Sequence, residues 1–304
     1  MKISVLNSGN VAETEQFAYL KECGFDGAMF ALNKYFERNG IYGDISSVTD
    51  EMIAKHFSLL KECADEAEFF IDQTHSAFTG YLHHYDNDVE EIVQRQIACI
   101  KATHYLGCKY CVVHPIITSG RRYDLKIKEA FDTSVDFYTR LLPALEEYDV
   151  YCCIENMWVL DPVHKHICST ILSHAEEMVQ MCDALGDRFK ICLDIGHAVL
   201  TQDNPVEMVR ICGDRLVVLH AHEVDGIYDL HTFPFSKFGK PRLVSPMRID
   251  WELLMKTLKE INYEGNLNFE ISIPGPYELH AAGVRYLAEI GRYLVSIFEG
   301  HDSQ

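Results

Sequence analysis

Apolar residues in this chain gather in short runs, and between the runs they recur every three or four positions. The runs are ISVL (3–6), GAMFAL (27–32), EFFIDQTH (68–75), YCVVH (110–114), VYCCIE (150–155), KICLD (190–194), LVVLH (216–220) and LNFE (267–270). Most are apolar on consecutive rather than alternating positions, as expected of strands covered on both faces. The stretches between them predict amphipathic helices with readable ends. Asp50 precedes Ile53, Phe57, Leu60, Ala64 and Ala67, and Asp88 precedes Ile92, Ile97 and Ile100. Ser173 with Glu176 predicts a capping box before Met178, Met181 and Leu185. Pro205 suits a first helical residue and Gly213 a stop. Asp250 precedes Trp251, Leu254, Leu258 and Ile261, and a last apolar helix runs through Val284, Leu287, Leu294 and Ile297.

Eight strands alternating with helices predict a parallel sheet, and in 304 residues the simplest closed solution is a (β/α)8 TIM barrel. The expectation is one domain over 1–304 with a long insertion at about 221–249. An open, doubly wound sheet is the alternative. It carries a Gly-rich phosphate loop after its first strand, whereas SGN (8–10) stands there and no GxGxxG occurs. Helix-to-strand links are short and strand-to-helix links long (33–49, 76–87, 156–172, 221–249). Long loops at strand C-termini are where barrels build their sites.

Composition narrows the function. With 27 Lys+Arg against 46 Asp+Glu the net charge is −19, and the longest basic run is Arg121–Arg122. A nucleic acid is therefore not expected as a partner. No apolar run is long enough for a membrane span or a signal peptide, so a cytoplasmic location is expected. The 11 cysteines fit a reducing compartment, and the lone Cys108-x-x-Cys111 lies in an apolar run where thiols pack.

Candidate chemistry sits at the strand ends. From the third run onward they are His75, His114, Glu155, Asp194, His220 and Glu270. Carboxylates and imidazoles without thiols suit Mn, Mg, Co or Zn. Charged groups converging on one rim repel each other, and a divalent cation relieves that. His197 follows Asp194 by three residues. Asp229 and His231 follow the seventh strand two residues apart, so an extended backbone would point them the same way. In the same stretch His222, Glu223 and Asp225 read as outer contacts or solvated loop residues. Trp158, Phe30 and Phe78 could wall a bound ligand or simply pack. Lys237, Lys240 and Arg242 could bind a phosphate or form a solvated loop face.

The motifs IEN (154–156), LDIGHA (193–198), HAHEVDG (220–226), DLHTFP (229–234), RIDW (248–251) and NFEIS (268–272) resemble the xylose isomerase-like barrel superfamily, and most its sugar phosphate isomerase/epimerase members. The resemblance covers about three quarters of the chain, from the third strand to the eighth. It implies one divalent metal on Glu155, Asp194, His220 and Glu270, with proton transfer next to a carbonyl through a metal-stabilised enediolate. Glu155 and Glu270 would be the acid/base pair, and His197 would hold a substrate oxygen. The substrate would be a small sugar or sugar phosphate. The ketose epimerase branch has an arginine six residues after the metal-binding His, where this chain has Gly226.

The chain also resembles the endonuclease IV-type branch, which binds up to three zinc ions. His75, His114, His197, Asp229 and His231 would then be further metal ligands. A multinuclear phosphoesterase is thus the alternative, although the charge disfavours DNA. A polyol dehydratase would use the same one-metal set, and a non-catalytic binding barrel is a further reading. A homo-oligomer is possible through the last helix or 232–249.

Overall fold

The eight apolar runs become parallel strands in the computed structural model, which describes residues 1–7, 11–79, 89–117, 127–161, 163–236, 249–273 and 276–301. In chain order the strands are β1 (Ile3–Leu6), β2 (Gly27–Ala31), β3 (Phe70–His75), β4 (Tyr110–Val113), β5 (Tyr151–Glu155), β6 (Trp158–Leu160), β7 (Ile167–Ser169), β8 (Phe189–Asp194), β9 (Leu216–His220) and β10 (Leu267–Phe269). The helices are α1 (Gln16–Glu22), α2 (Asn33–Phe36), α3 (Asp50–Glu66), α4 (Val89–Tyr105), α5 (Ile127–Glu147), α6 (Ala175–Leu185), α7 (Ile195–Leu200), α8 (Pro205–Cys212), α9 (Trp251–Glu260) and α10 (Tyr277–Glu299).

The main sheet has eight strands in the order β10-β1-β2-β3-β4-β5-β8-β9. Its ladders are parallel. The ends of the sheet meet where Ala221 N–H donates to the Asn268 carbonyl at 2.8 Å. This is a nearly closed (β/α)8 barrel, with helices around it. β6 and β7 form a separate antiparallel hairpin in the loop after β5, which the sequence did not announce.

Pleating separates the two layers of the core, because side chains two apart on a strand share a face. Val112, Cys153, Cys192 and Val218 pack together inside the barrel. Each stands two residues before a strand-end group: His114, Glu155, Asp194 and His220. The same inner face therefore carries an apolar floor and, one pleat higher, the polar rim. The outer layer is aromatic. Phe30 is wholly buried against Phe17, Tyr35 and Phe57. It belongs to the contact between barrel and helices, not to a sugar wall.

Helix starts that are described followed the sequence with two corrections, and Asp88, expected ahead of α4, lies outside the described residues. α3 begins at Asp50 itself, and Thr49 caps it by accepting from Met52 N–H. α6 begins at Ala175 with His174 at its N-cap. Ser173 is drawn away from capping because its hydroxyl donates to Met157 C=O and accepts from Thr170 N–H, tying down the preceding loop. Asn204 caps α8 ahead of Pro205, and Asp250 caps α9 through Leu253 N–H. Asp250→Ala should cost about 1 kcal/mol of stability, read by denaturant unfolding. All eleven cysteines are free, and burial raises the Cys108 and Cys111 thiols above the ordinary range, as for packing residues. Among the described residues, no helix is long and apolar enough to cross a membrane.

Candidate functional site

Six consecutive barrel strands deliver a His, Asp or Glu to the C-terminal mouth, four as the last strand residue and two, His114 and Glu270, one position beyond. Glu155 is at the centre and 1% exposed. Its Oε2 faces His114 Nε2 at 2.8 Å and His75 Nε2 at 3.3 Å. Its Oε1 faces His220 Nδ1 at 3.0 Å. Glu270 approaches the same His220 Nδ1 at 3.0 Å and is 16% exposed, so it opens further to the mouth. Asp194 is wholly buried at the start of α7, where it accepts from His197 N–H at 2.6 Å.

The loop after β9 brings in the remaining candidates. Asp229 lies between His197 Nε2 (3.3 Å) and His231 Nε2 (3.2 Å). The stretch is not a regular strand: His231 has φ +45°, a left-handed conformation that costs a non-glycine residue about 1–3 kcal/mol. That turn lets Asp229 and His231 face each other across the same space, where extended backbone would set them side by side.

Three donor sets result, each with ligand atoms within 4.8 Å of one another: His75, His114 and Glu155; Glu155, Asp194, His220 and Glu270; and His197, Asp229 and His231. Two further groupings overlap them, one adding Cys192 beneath Glu155 and His220, the other joining His222 to His231 and Glu270. Every candidate ligand expected from the sequence is therefore drawn into one mouth.

The imidazoles are held as metal ligands usually are, with the second ring nitrogen donating to an oxygen. His75 Nδ1 reaches Ser76 C=O, His197 Nδ1 reaches Asn156 C=O and His231 Nδ1 reaches Glu270 C=O, at 3.0, 2.8 and 2.6 Å. His220 Nε2 reaches Gln73 Oε1 at 3.0 Å, leaving Nδ1 for the carboxylates. Gln73 and Asn156 are contributors that the sequence reading passed over. Gln73 could have been found as a polar residue two before His75, hence on the inner face. Asn156 lay inside the quoted IEN motif; its amide also pairs with the Asp194 backbone in both directions.

Electrostatics fit a cation. Burial pushes Glu155 up, yet His220 and His114 together hold its carboxyl well below the usual carboxylate range. Burial also opposes the charge on Glu270, and His220 outweighs it to hold that carboxyl low. Most of the imidazoles move the other way, the exception being His114, which burial lowers. Burial lowers His197, but Asp194 and Asp229 raise it well above its ordinary value. His231, opposed by burial and raised by Asp229 and Glu270, is pushed up to about 9. Protons on imidazoles thus supply the positive charge that these carboxylates require, in positions where a divalent ion would supply it instead. Asp229 Oδ1, buried and 3.2 Å from His231 Nε2 without hydrogen-bond alignment, fits the same requirement.

Two aromatic residues flank the donors. Phe78, 53% exposed, lies over His75 and His114 at 5.5 and 5.2 Å between ring centroids. Trp158, at the base of the β6–β7 hairpin, meets His197 edge-on at 6.2 Å. His222 is not solvated: it is wholly buried and bonded to Asp194. Glu223 is also buried and accepts from Trp251 Nε1–H, a packing role. Asp225 closes a turn by accepting from Ile227 and Tyr228 N–H. Lys237, Lys240 and Arg242 lie outside the described residues.

Comparison with known proteins agrees with this architecture. An uncharacterized protein of Sinorhizobium fredii is 23% identical over 196 residues, a match spanning 63% of this chain and 56% of that protein. A D-tagatose 3-epimerase-like protein has a similar fold, with a TM-score of 0.71, 18% identity and 98% of each chain covered. So does the 3-keto-D-glucoside 4-epimerase of E. coli, with a TM-score of 0.65, 16% identity, and 95% of this chain and 99% of that chain covered. These likenesses concern the fold, and the sequence places it more narrowly: with residues 17–290 matched, the chain belongs to the xylose isomerase-like TIM barrel family.

Proposed function

We propose that this chain is a divalent-metal-dependent isomerase or epimerase of a small sugar or sugar phosphate. The observation that carries the reading is the convergence of Glu155 and Glu270 on one imidazole nitrogen of His220, with Asp194 beside them. Glu155, Asp194, His220 and Glu270 would hold the ion, which when bound supplies Lewis-acid polarisation of the substrate oxygens. The two glutamates are kept ionised by their imidazole neighbours and so are competent to accept a proton. One removes the proton on the carbon next to the carbonyl, and the other returns a proton to the same carbon from the opposite face or to its neighbour. The first outcome is epimerisation and the second isomerisation. Phe78 and Trp158 form apolar walls, and His197 hydrogen-bonds a substrate oxygen. The epimerase names of proteins with this fold agree with that chemistry.

The test is solvent exchange. In D2O, a ketose or ketose phosphate recovered after incubation should carry deuterium next to the carbonyl, read by NMR. A panel of such sugars without any incorporation would count against proton transfer as the reaction.

A second reading has its own observation: the two further donor sets, His75/His114/Glu155 and His197/Asp229/His231, flank the first and share Glu155 or adjoin it. Filled, they make a multinuclear centre suited to a phosphate ester. Elemental analysis of the purified chain separates the two: about one ion per chain favours the isomerase, about three the phosphoesterase. His231→Ala is the second discriminator. It should leave the bound-metal count of a one-ion enzyme unchanged and lower that of a multinuclear one.

A further inference from the structure

His222 lies outside the donor sets that the proposed reaction uses, yet it is among the most enclosed polar side chains of the mouth. It is 0% exposed. Its Nε2 lies 3.1 and 3.0 Å from the two oxygens of Asp194. Its Nδ1 has no partner. A buried N–H without an acceptor is more costly than a bare ring nitrogen, so the proton belongs on Nε2, where a carboxylate receives it. The ring is confined by two neighbours. It stacks on His231, 3.9 Å between centroids and 11° between planes. Its Cε1 end also lies against the backbone of Gly196, where an added Cβ would stand 2.1 Å from Cε1 and 2.7 Å from both ring nitrogens.

Two motifs that are separate in sequence thereby become one device. LDIGHA supplies Asp194 and a residue without a side chain; HAH supplies the ring that needs the vacated space. Asp194 is also held by His197 N–H at its Oδ1, so the His222 donor fixes the remaining freedom of the carboxylate, its rotation about the Cβ–Cγ bond. We propose that His222 is a positioning residue that sets the orientation of Asp194 for cation binding, and that Gly196 is the seat that admits its ring. The inference rests on the metal-dependent reading above.

Its test is cation affinity measured directly, by titrating Co(II) into the metal-free full-length protein and following the visible absorption. His222→Leu keeps the volume and removes the donor. It should weaken the affinity about 10- to 100-fold, the usual cost of losing a partner of a metal ligand. His222→Gln keeps an N–H near the same place and should restore most of it. Gly196→Ala should weaken affinity as His222→Leu does, because the methyl displaces the ring. Added to His222→Ala it should cost little more, since the ring's space is then free. Thermal melts accompany each variant. Equal affinity for wild type and His222→Leu overturns the inference while leaving the metal reading intact. Wild-type protein that binds no divalent ion overturns the reading, and the inference with it. Unfolding of both the Leu and Gln variants assigns His222 to packing alone and also overturns it.

Discussion

Glu155→Gln is expected to reduce turnover by about a hundred- to ten-thousand-fold, the range for removing a positioned acid or base. Glutamine preserves the shape of a side chain that is 1% exposed, so the protein should stay folded. It cannot take up a proton, and it removes the carboxylate that His114, His75 and His220 face at 2.8, 3.3 and 3.0 Å. The loss should fall on kcat, because the proton moves only in the transition state. Glu270→Gln should lose activity by a similar factor. The double substitution should add little, since two halves of one proton-transfer pair do not act independently. Steady-state kinetics on the sugar that passes the deuterium test is the measurement. Activity within threefold of wild type in either single variant would end the two-glutamate mechanism.

Removal of the ion should have an effect as large. Chelator-treated protein is expected to be inactive and to regain activity on addition of a divalent metal. Four carboxylates, on Glu155, Asp194, Asp229 and Glu270, converge on one mouth in a chain whose net charge is −19. A bound ion would offset that repulsion, so stability should follow metal concentration. At a free concentration of about a thousand times Kd the gain is about 4 kcal/mol. For a chain of 304 residues that is a rise of about 6 °C in Tm. The sign of the pH dependence follows from the imidazoles. His197 and His231 are raised above their ordinary values, and His231 reaches about 9. A cation needs the ring nitrogen without its proton, so binding there must release protons. Affinity at the His197/Asp229/His231 set should therefore rise with pH from the neutral range through about 9, where His231 gives up its proton. Calorimetry in buffers of different ionisation enthalpy reads the proton release. Three-ion binding with no proton release and no pH dependence would contradict this account.

Much of the site was legible in advance because strand-end position and inner face are properties of local sequence. A run such as YCCIE places Glu155 two residues after Cys153, and the pleat does the rest. The capping of α6 was misjudged for a complementary reason: Ser173 has hydroxyl partners in the preceding loop, at Met157 and Thr170, that compete with the helix terminus. Phe30 illustrates the limit of reasoning from loop proximity. It sits at the end of β2, but its parity points it at Phe57 of α3 rather than into the mouth.

The sequence by itself determined the alternation of strands and helices, the closed-barrel solution and the residues that reach the rim. Those follow from periodicity, which each segment carries independently of the others. Only the tertiary structure decided which rim residues meet. The left-handed turn at His231 sets how its ring meets Asp229, while the Gln73 amide under His220 and the seating of His222 against Gly196 join segments separated in the chain. Such contacts depend on barrel closure and on loop paths that no local pattern encodes. That is why the sequence left His222 open between an outer contact and a solvated loop residue, and only the structure sets it against Asp194.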